Sequence, residues 1–218
     1  MSGTSSTVLL VDDHPVFRSG LAILLGSAGL QVVAETSAGA EAAELARRHR
    51  PDVVVMDLGL PDLNGVIATE QVLQACPSTA VLVVTMYDDD TAVAQAIAAG
   101  ARGYVLKDAP PAEVVKAVGL VAAGAAVMGS GIADRVTRMV ASGAAHAATK
   151  EPARFPNLTD REQQVLGLVG KGLSNTAISE RLGISGKTVA NYLSNILVHL
   201  DLPDREAAIR LFELDSQD

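Results

Sequence analysis

The stretch VVVMDLGLPDLNG, residues 53–65, decides the fold. Its first four residues are apolar and mostly β-branched, as in a strand that is buried on both faces. The run ends at the carboxylate of Asp57, and then come Gly59, Pro61 and Gly65, which the interior of a helix or strand disfavours. The pattern predicts a buried strand that brings Asp57 to a sheet edge, followed by a sharp loop. Such an Asp is either an ordinary polar strand end or a reactive side chain.

Similar apolar runs alternate with segments of helical period on both sides of this stretch. The other runs are TVLLV, LQVVA, AVLVVT and RGYVL, and the helical segments are roughly residues 14–28, 38–48, 64–75, 89–99 and 110–124. Five strands alternating with five helices predict an α/β fold, a doubly wound parallel sheet with helices on both faces and right-handed crossovers. We expect the flavodoxin-like strand order 2-1-3-4-5, in which the first and third strands are neighbours.

The chain changes character after residue 125, which we take as the end of the first domain. Residues 126–153 are rich in Ala, Gly and Ser, and we interpret them as a linker with one short helix around 134–140. The alternative is that this segment packs against the first domain or against a second copy of the chain. Residues 154–218 show only helical signals, with a tight turn between the second and third helices. This pattern predicts a small all-α helix-turn-helix domain.

Capping residues mark the ends of the C-terminal helices. Thr159–Glu162 has the spacing of a capping box, Ser174 and Ser185 stand at N-cap positions, Gly183 marks a left-handed stop, and Asp204 can cap a last helix. These signals predict four short helices with a recognition helix at about 186–200.

Composition excludes several classes of protein. The single cysteine, Cys76, excludes a disulfide framework and a cysteine-based zinc site. No apolar run approaches the length of about 18 residues that suggests a membrane span, and we expect a soluble, cytoplasmic protein without a membrane partner. Residues 1–130 carry 14 acidic and 7 basic side chains, whereas residues 154–218 carry 9 and 7. The two domains therefore present different surfaces.

Acidic residues end two of the strands that should be neighbours. Asp12 and Asp13 follow the first strand, and Asp57 follows the third. Ligands of doubly wound sheets bind at these carboxyl ends, and three carboxylates in one crevice are costly unless a cation joins them. Oxygen ligands and open water positions suit Mg²⁺. Thr85 and Lys107 end the fourth and fifth strands at the same edge, which completes a set suited to phosphoryl transfer onto an Asp.

The segments VLLVDDHPVFRSGL, VVVMDLGLPDLNG, VVT and GYVLKD resemble the receiver domain of bacterial two-component response regulators, and with the C-terminal segment the chain resembles their NarL/FixJ class. The resemblance implies that Asp57 accepts phosphoryl from a sensor histidine kinase. It implies Mg²⁺ held by Asp13, Asp57 and the carbonyl of Gly59, with Asp12 acting mainly through water. It also implies that Thr85 and Tyr104 form a switch pair and that Lys107 pairs with the phosphate. We interpret His14 as an N-terminal packing residue rather than a phosphate carrier.

Residues from Leu158 onward resemble the LuxR-type helix-turn-helix. Lys187 and Thr188 suit phosphate contacts at a helix start, and Asn191 and Ser194 suit base edges in the major groove. Asn175 either fixes the scaffold helix, touches phosphate, or is a plain surface residue. The chain departs from the family pattern at Ala190 and Tyr192, where Lys and His are usual, and at His199, where Lys is common; the departures at Ser179 and Asp201 are mild. Tyr192 either contacts DNA or replaces a packing residue.

The leading hypothesis is a phosphorylation-controlled, DNA-binding regulator of transcription that binds double-stranded DNA as a homodimer once phosphorylated. An alternative is an interaction protein that keeps the receiver but has reduced or lost specific DNA binding, as Ala190 and Tyr192 suggest. We do not expect an enzyme: an Asp-based phosphatase needs a second acid two residues after its nucleophile, and this chain has Gly59 there.

Overall fold

The computed structural model describes residues 5–141, 155, 158 and 160–214. The chain divides into two compact units, Met1–His146 and Ala147–Asp218. The first holds a parallel sheet and its helices, and the second is helical. Among the described helices, none is both long and apolar enough to cross a bilayer.

Six parallel strands form the sheet of the first unit, in the order β2-β1-β3-β4-β5-β6. The strands are β1 (Thr7–Val11), β2 (Gln31–Thr36), β3 (Val53–Met56), β4 (Ala80–Thr85), β5 (Gly103–Leu106) and β6 (Val127–Met128). The helices are α1 (Pro15–Ser27), α2 (Gly39–His49), α3 (Gly65–Ala75), α4 (Asp90–Ala98), α5 (Pro111–Ala122) and α6 (Ala133–Ala141). The predicted fold class and the order 2-1-3-4-5 are confirmed, with one strand added at the edge.

The central strands β1, β3 and β4 are buried on both faces, and their apolar side chains alternate between two cores. Val8 and Leu10 of β1 belong to the core under α1 and α5. Leu9 and Val11 belong to the core that includes residues of α2 and α3. Successive side chains of a strand point to opposite faces, so a strand covered on both sides has to be apolar throughout. This explains the continuous run at residues 53–56.

The sixth strand and helix α6 fall in the segment that the sequence suggested was a linker. Gly129 N donates to the carbonyl of Tyr104 at 2.8 Å, which pairs this segment with β5. Ile132 is fully buried, and Arg135 Nη1 lies 3.1 Å from Asp90 Oδ1 on α4. Residues 127–141 therefore pack on the first unit, as one of the two interpretations held. Two residues of strand are too few to give a period, so the sequence carried no signal for β6. Residues 142–153 lie outside the described part of the chain, and the domain bounds stay predictions.

The second unit contains α7 (Asp160–Gly170), α8 (Asn175–Leu182), α9 (Gly186–His199) and α10 (Arg205–Leu214). Most of the predicted caps are present: Ser174 Oγ accepts from Ala177 N, Ser185 Oγ from Thr188 N, and Asp204 Oδ1 from Ala207 N. Gly183 ends α8 with a φ of 66°, in the left-handed region. The capping box at Thr159–Glu162 begins at a residue outside the described part. A short turn between α8 and α9 gives the helix-turn-helix geometry.

Candidate functional site

Four strand ends meet at one edge of the sheet. The parallel register places Val11 of β1 beside Met56 of β3, and Thr85 of β4 beside Leu106 of β5. The ladder continues one residue further, since Asp57 N donates to the carbonyl of Val11 at 2.9 Å. The residues that follow these strands are therefore brought to the same edge by backbone pairing.

Asp57 lies at the centre of this edge and is only 3% exposed. Lys107 Nζ lies 2.6 Å from Asp57 Oδ2 and 2.8 Å from Asp12 Oδ2, so one ammonium joins the carboxylates of two strands. The other carboxylate oxygen, Asp57 Oδ1, accepts from the amide of Gly59 at 3.2 Å. The ring of Phe17 lies 5.0 Å from the same ammonium. These contacts hold Asp57 in one orientation.

The charges of this pocket are not balanced by Lys107 alone. Burial, and then the charge of Asp57, raises the pKa of Asp12, although Lys107 lowers it in part. Burial of the ammonium lowers the pKa of Lys107, but the carboxylates of Asp57 and Asp12 outweigh that effect and raise it overall. The pocket thus favours added positive charge, as expected where like charges share a buried site.

The donor set at this edge fits a divalent cation. Asp12, Asp13, His14 and Asp57 each offer one ligand atom, and the four atoms lie within 4.8 Å of one another. Asp13 Oδ1 is buried and makes no hydrogen bond of acceptable geometry with the described residues, although it lies 2.6 Å from His14 Nδ1. A buried carboxylate oxygen without a donor is stabilised by a bound cation. Carboxylate oxygens are the ligands that Mg²⁺ prefers.

His14 lies nearer to this set than the sequence interpretation placed it. Its side chain is 56% exposed, so it is not a packing residue. Its backbone amide donates to Asp12 Oδ1 at 2.8 Å, and its ring nitrogen lies beside Asp13. Its position next to two acidic residues, just before the Pro15 that begins α1, was the available signal.

The loop after Asp57 is shaped by the close approach of α3. A Cβ at Gly65 would lie 2.1 Å from the carbonyl oxygen of Asp57 and 2.6 Å from Cα of Leu58, so no other residue fits without a backbone shift. Asn64 caps the helix, its Oδ1 accepting from Val66 N at 2.8 Å. The Gly at this position therefore allows the helix to begin directly against the Asp57 backbone.

Thr85 and Tyr104 are both buried beside the pocket. Thr85 is 1% exposed, and the Tyr104 ring has no exposed surface. The Tyr104 hydroxyl donates to the carbonyl of Tyr87 at 2.8 Å, and the amide of Tyr87 lies 3.5 Å from Thr85 Oγ1. Burial, followed by the charges of Asp89 and Asp57, raises the pKa of Tyr104 well above its usual value, so the phenol stays a donor. Tyr87 thus links Thr85 and Tyr104, a role that the sequence did not reveal.

The recognition helix α9 divides the predicted DNA contacts into two groups. Lys187 and Ser194 are exposed and Asn191 is half-buried, so these three can face a ligand. Tyr192 has no exposed surface and Thr188 is 3% exposed. Thr188 Oγ1 lies 2.6 Å from Ser185 Oγ, inside the helix cap. The prediction that the Thr188 side chain contacts DNA is therefore corrected, and of the two interpretations of Tyr192 the geometry favours the packing one: both side chains are buried within the second unit.

Asn175 is tied to the scaffold of the second unit. Its Oδ1 accepts from Arg205 Nη1 at 2.7 Å, and a second Arg205 nitrogen donates to the carbonyl of Leu173. Arg205 therefore connects the start of α10 to the start of α8. Of the alternatives for Asn175, this geometry favours the one in which it fixes the scaffold helix.

Two family models match the chain, one for each unit. The response regulator receiver domain matches residues 8–119. The family of bacterial regulatory proteins described as the luxR family matches residues 156–212. The two matches cover the candidate pocket and the helix-turn-helix.

Relatives resemble the chain over nearly its whole length. The DNA-binding transcriptional activator DevR/DosR of Mycobacterium tuberculosis is 40% identical over 209 residues, which are 95% of this chain and 94% of the relative. The transcriptional regulatory protein LiaR of Bacillus subtilis is 36% identical over 202 residues, 92% of this chain and 93% of the relative. A crystal structure of the response regulator ChrA of a heme-sensing two-component system matches with a TM-score of 0.51 and 32% identity, over 97% of this chain and 98% of that one.

Proposed function

The chain belongs to the bacterial two-component response regulators of the NarL/FixJ class, and we propose that Asp57 is the residue on which it accepts phosphoryl. A member of this family is a phosphorylation-controlled, DNA-binding regulator of transcription. The observation that carries the assignment of Asp57 is its position: a buried carboxylate 2.6 Å from the ammonium of Lys107, at the edge where Asp12 and Asp13 also lie.

Phosphoryl transfer to Asp57 needs few protein groups because positioning and charge supply most of the catalysis. A carboxylate oxygen of Asp57 attacks phosphorus, and an O–P bond forms as the bond from phosphorus to the histidine nitrogen of the kinase breaks. The electron pair of that bond remains on the imidazole. Lys107 moves from the carboxylates to a phosphoryl oxygen and neutralises its charge. A Mg²⁺ ion held at this edge would supply positive charge for the remaining phosphoryl oxygens.

We assign the Mg²⁺ ligands to Asp13, Asp57 and the carbonyl of Gly59, with Asp12 acting through water. The orphaned Asp13 Oδ1 supports the role of Asp13. The amide of Gly59 is already bonded to Asp57, which keeps that backbone segment close to the pocket.

Phosphorylation reaches the rest of the unit through Thr85 and Tyr104. The phosphoryl group adds a charge of about −1.5 to −2 and attracts the hydroxyl of Thr85. The amide of Tyr87 follows Thr85, and the Tyr104 hydroxyl is bonded to Tyr87. A coupling of about 1–3 kcal/mol between such sites is enough to bias a dimer equilibrium. We therefore expect phosphorylation to favour a homodimer.

In the dimer, two copies of α9 engage two half-sites of double-stranded DNA. Lys187 contacts phosphate, and Asn191 and Ser194 face base edges. Thr188 and Tyr192 support this surface from inside. The partners are thus a sensor histidine kinase, DNA and a second copy of the chain. We place the protein in the cytoplasm, where it needs no membrane contact, and assign it no enzymatic activity beyond its own phosphorylation.

The alternative of reduced DNA binding keeps one supporting observation. Ala190 is exposed on α9, where the family pattern has Lys, so one cationic contact is absent. Tyr192 no longer supports it, because a buried side chain does not replace a surface contact. A mobility-shift titration at two salt concentrations decides between the two functions. A complete lack of sequence preference in both phosphorylation states would favour the alternative.

Labelling by a small phosphodonor tests the assignment of Asp57. With acetyl phosphate and Mg²⁺, we expect the wild-type chain to acquire a hydroxylamine-sensitive acyl phosphate and Asp57→Asn to acquire none. Glu70→Gln, an exposed acid on α3, is the matched control and should label as wild type. Labelling of Asp57→Asn at the wild-type level would refute the assignment.

The size and DNA affinity of the chain test the consequence of phosphorylation. With Mg²⁺ and beryllofluoride, a phosphoryl mimic, sedimentation should show a shift from monomer toward dimer, and DNA affinity should rise. Neither change should occur in Asp57→Asn. Equal size and affinity with and without the mimic would contradict the proposed switch.

A further inference from the structure

His14 lies at the mouth of the Asp57 pocket with its ring directed toward the carboxylates. Its backbone is extended (φ −83°, ψ 101°) and its amide is bonded to Asp12 Oδ1 at 2.8 Å. Pro15 follows at the first turn of α1, which restricts the conformation of His14. The side chain therefore starts from a fixed backbone position, although it is 56% exposed.

The ring nitrogen Nδ1 is within reach of every carboxylate of the pocket. It lies 2.6 Å from Asp13 Oδ1, 3.6 Å from Asp12 Oδ1 and 3.9 Å from Asp57 Oδ2. Ligand bonds of about 2.1 Å in an octahedral site separate adjacent donors by roughly 3 Å and opposite donors by roughly 4.2 Å. The distances from Nδ1 to Asp12 and Asp57 fall within that range, whereas the Asp13 contact is shorter. The four donors lie within 4.8 Å of one another, so small side-chain movements bring them onto one ion.

Nδ1 also lies 3.4 Å from the ammonium of Lys107. Lys107 is bonded to Asp12 and Asp57, and Asp13 is the carboxylate that it does not reach within ion-pair distance. His14 Nδ1 and Asp13 Oδ1 are thus in contact with each other, and both lie next to the Lys107 ion pairs.

We propose that His14 adds a nitrogen ligand to a first-row transition cation, such as Mn²⁺ or Co²⁺, bound in the Asp57 pocket. The inference rests on the proposed function, since it uses the same carboxylates. Mg²⁺ prefers oxygen donors, whereas imidazole suits the first-row transition metals. An imidazole beside three carboxylates therefore raises the affinity for the latter ions and has little effect on Mg²⁺.

Imidazole coordination has a direct spectroscopic signature. We would load the untagged full-length protein with Mn²⁺ and record the electron spin echo modulation, which detects a coordinated ¹⁴N nucleus. The wild-type spectrum should show imidazole nitrogen, and His14→Ala should not. His49→Ala, which removes an exposed histidine of α2, is the matched control and should keep the nitrogen signal.

Affinities measured by calorimetry give the second readout. In His14→Ala, we expect the Co²⁺ affinity to fall by about tenfold or more, and the Mg²⁺ affinity to change by less than about twofold, because only the nitrogen-preferring ion loses a favoured ligand. Equal losses for Co²⁺ and Mg²⁺, or no loss for either, would overturn the inference. So would a nitrogen signal that is absent from the wild type or that persists in His14→Ala.

Beryllofluoride binding separates failure of this inference from failure of the proposed function. If wild type and His14→Ala both bind Mg²⁺ and beryllofluoride but show no nitrogen signal, His14 is not a ligand and Asp57 keeps its role. If the wild type binds neither Mg²⁺ nor beryllofluoride, the metal pocket itself is wrong and both proposals fail.

Discussion

The Asp57 pocket and helix α9 place their polar side chains by opposite means. In the pocket, Asp12 and Asp57 are 4% and 3% exposed, and these charges are held inside by backbone pairing of the strands that they end. On α9, polar side chains lie outside unless the helix turns them inward, as it does with Thr188 and Tyr192. The end of a paired strand determines where the next side chain lies. Whether a side chain on a helix is buried or exposed depends on which face of the helix packs against its neighbours.

Because Thr188 and Tyr192 of α9 pack inside the second unit, we expect substitutions of these residues to lower its stability and to change DNA binding only as a consequence. Tyr192→Ala removes a fully buried aromatic ring. We expect it to lower the free energy of unfolding of the second unit by about 3–5 kcal/mol, the usual cost of truncating a core aromatic residue. Hydrogen exchange of α7 to α10, measured by mass spectrometry, reports this loss for the second unit by itself.

One result for Tyr192→Ala would contradict this expectation. Unchanged exchange protection together with weaker DNA binding would mean that the ring contacts DNA, as one interpretation of the sequence held. Exchange in the first unit serves as the internal control and should stay at the wild-type level.

Gly65→Ala tests how tightly the pocket backbone is packed. The added methyl group meets the backbone of Asp57 at 2.1 Å, so the loop or α3 has to shift. We expect a loss of about 1–3 kcal/mol in the stability of the first unit, as for other overpacked sites, and slower labelling of Asp57. The loss of stability is measured by chemical denaturation, with hydrogen exchange in the first unit as the readout.

Gly20→Ala is the matched control for Gly65→Ala. Gly20 lies within α1, and a methyl group there meets no atom within 4 Å. Because Ala is favoured over Gly in a helix by about 1 kcal/mol, this variant should be as stable as wild type or more so. If the two variants behave alike, the close approach of α3 is not important for the pocket.

Lys187→Ala should have the opposite effects to Tyr192→Ala, with weaker DNA binding and almost unchanged stability. Lys187 is exposed at the start of α9, so we expect a change in stability within about 0.5 kcal/mol. The slope of log affinity against log salt should fall by about 1 unit, as for the loss of one phosphate contact. Lys171→Ala is the control, because it removes the same charge from the turn before α8. If it lowers the salt slope as much as Lys187→Ala does, the effect comes from net charge and Lys187 does not contact phosphate.

The smallest effect concerns the charge of Asp12. Its folded-state pKa is raised by burial and by Asp57, so its contribution to stability is fully present below the unfolded value of 3.8 and is lost as pH rises through the folded value. At neutral pH without Mg²⁺, Asp12→Asn should therefore melt at a higher temperature than wild type. The difference should shrink as pH falls toward 3.8 and as Mg²⁺ is added. A lower melting temperature for Asp12→Asn would contradict this account of the pocket.

The same contrast explains what the sequence revealed. Continuous apolar strands and the acidic residues that end them predicted the sheet and its order, because the central strands are buried on both faces. Tyr192 was left between two interpretations, although it lies three residues after Val189 and four before Ile196, both of which are core. The inner face of α9 was therefore visible in the spacing, but the family pattern drew attention to a surface role.

Other features had no sequence signal. The strand β6 spans only Val127–Met128 and shows no period. The hydrogen bond from Tyr104 to the carbonyl of Tyr87 depends on how two strand ends approach, which neither residue type predicts. For His14 the sequence showed only that it follows two acidic residues; the distance of its ring from Asp57 depends on how β1 and β3 pair in the fold.

Chemical mapping of the phosphorylated residue tests the central claim most directly. Borohydride reduces an aspartyl phosphate to homoserine, which peptide mass spectrometry locates in the chain. After treatment with acetyl phosphate, homoserine should appear at position 57 when Mg²⁺ is present and should be absent when the cation is chelated. Homoserine at another position, or equal amounts with and without Mg²⁺, would contradict a magnesium-dependent phosphoacceptor pocket centred on Asp57.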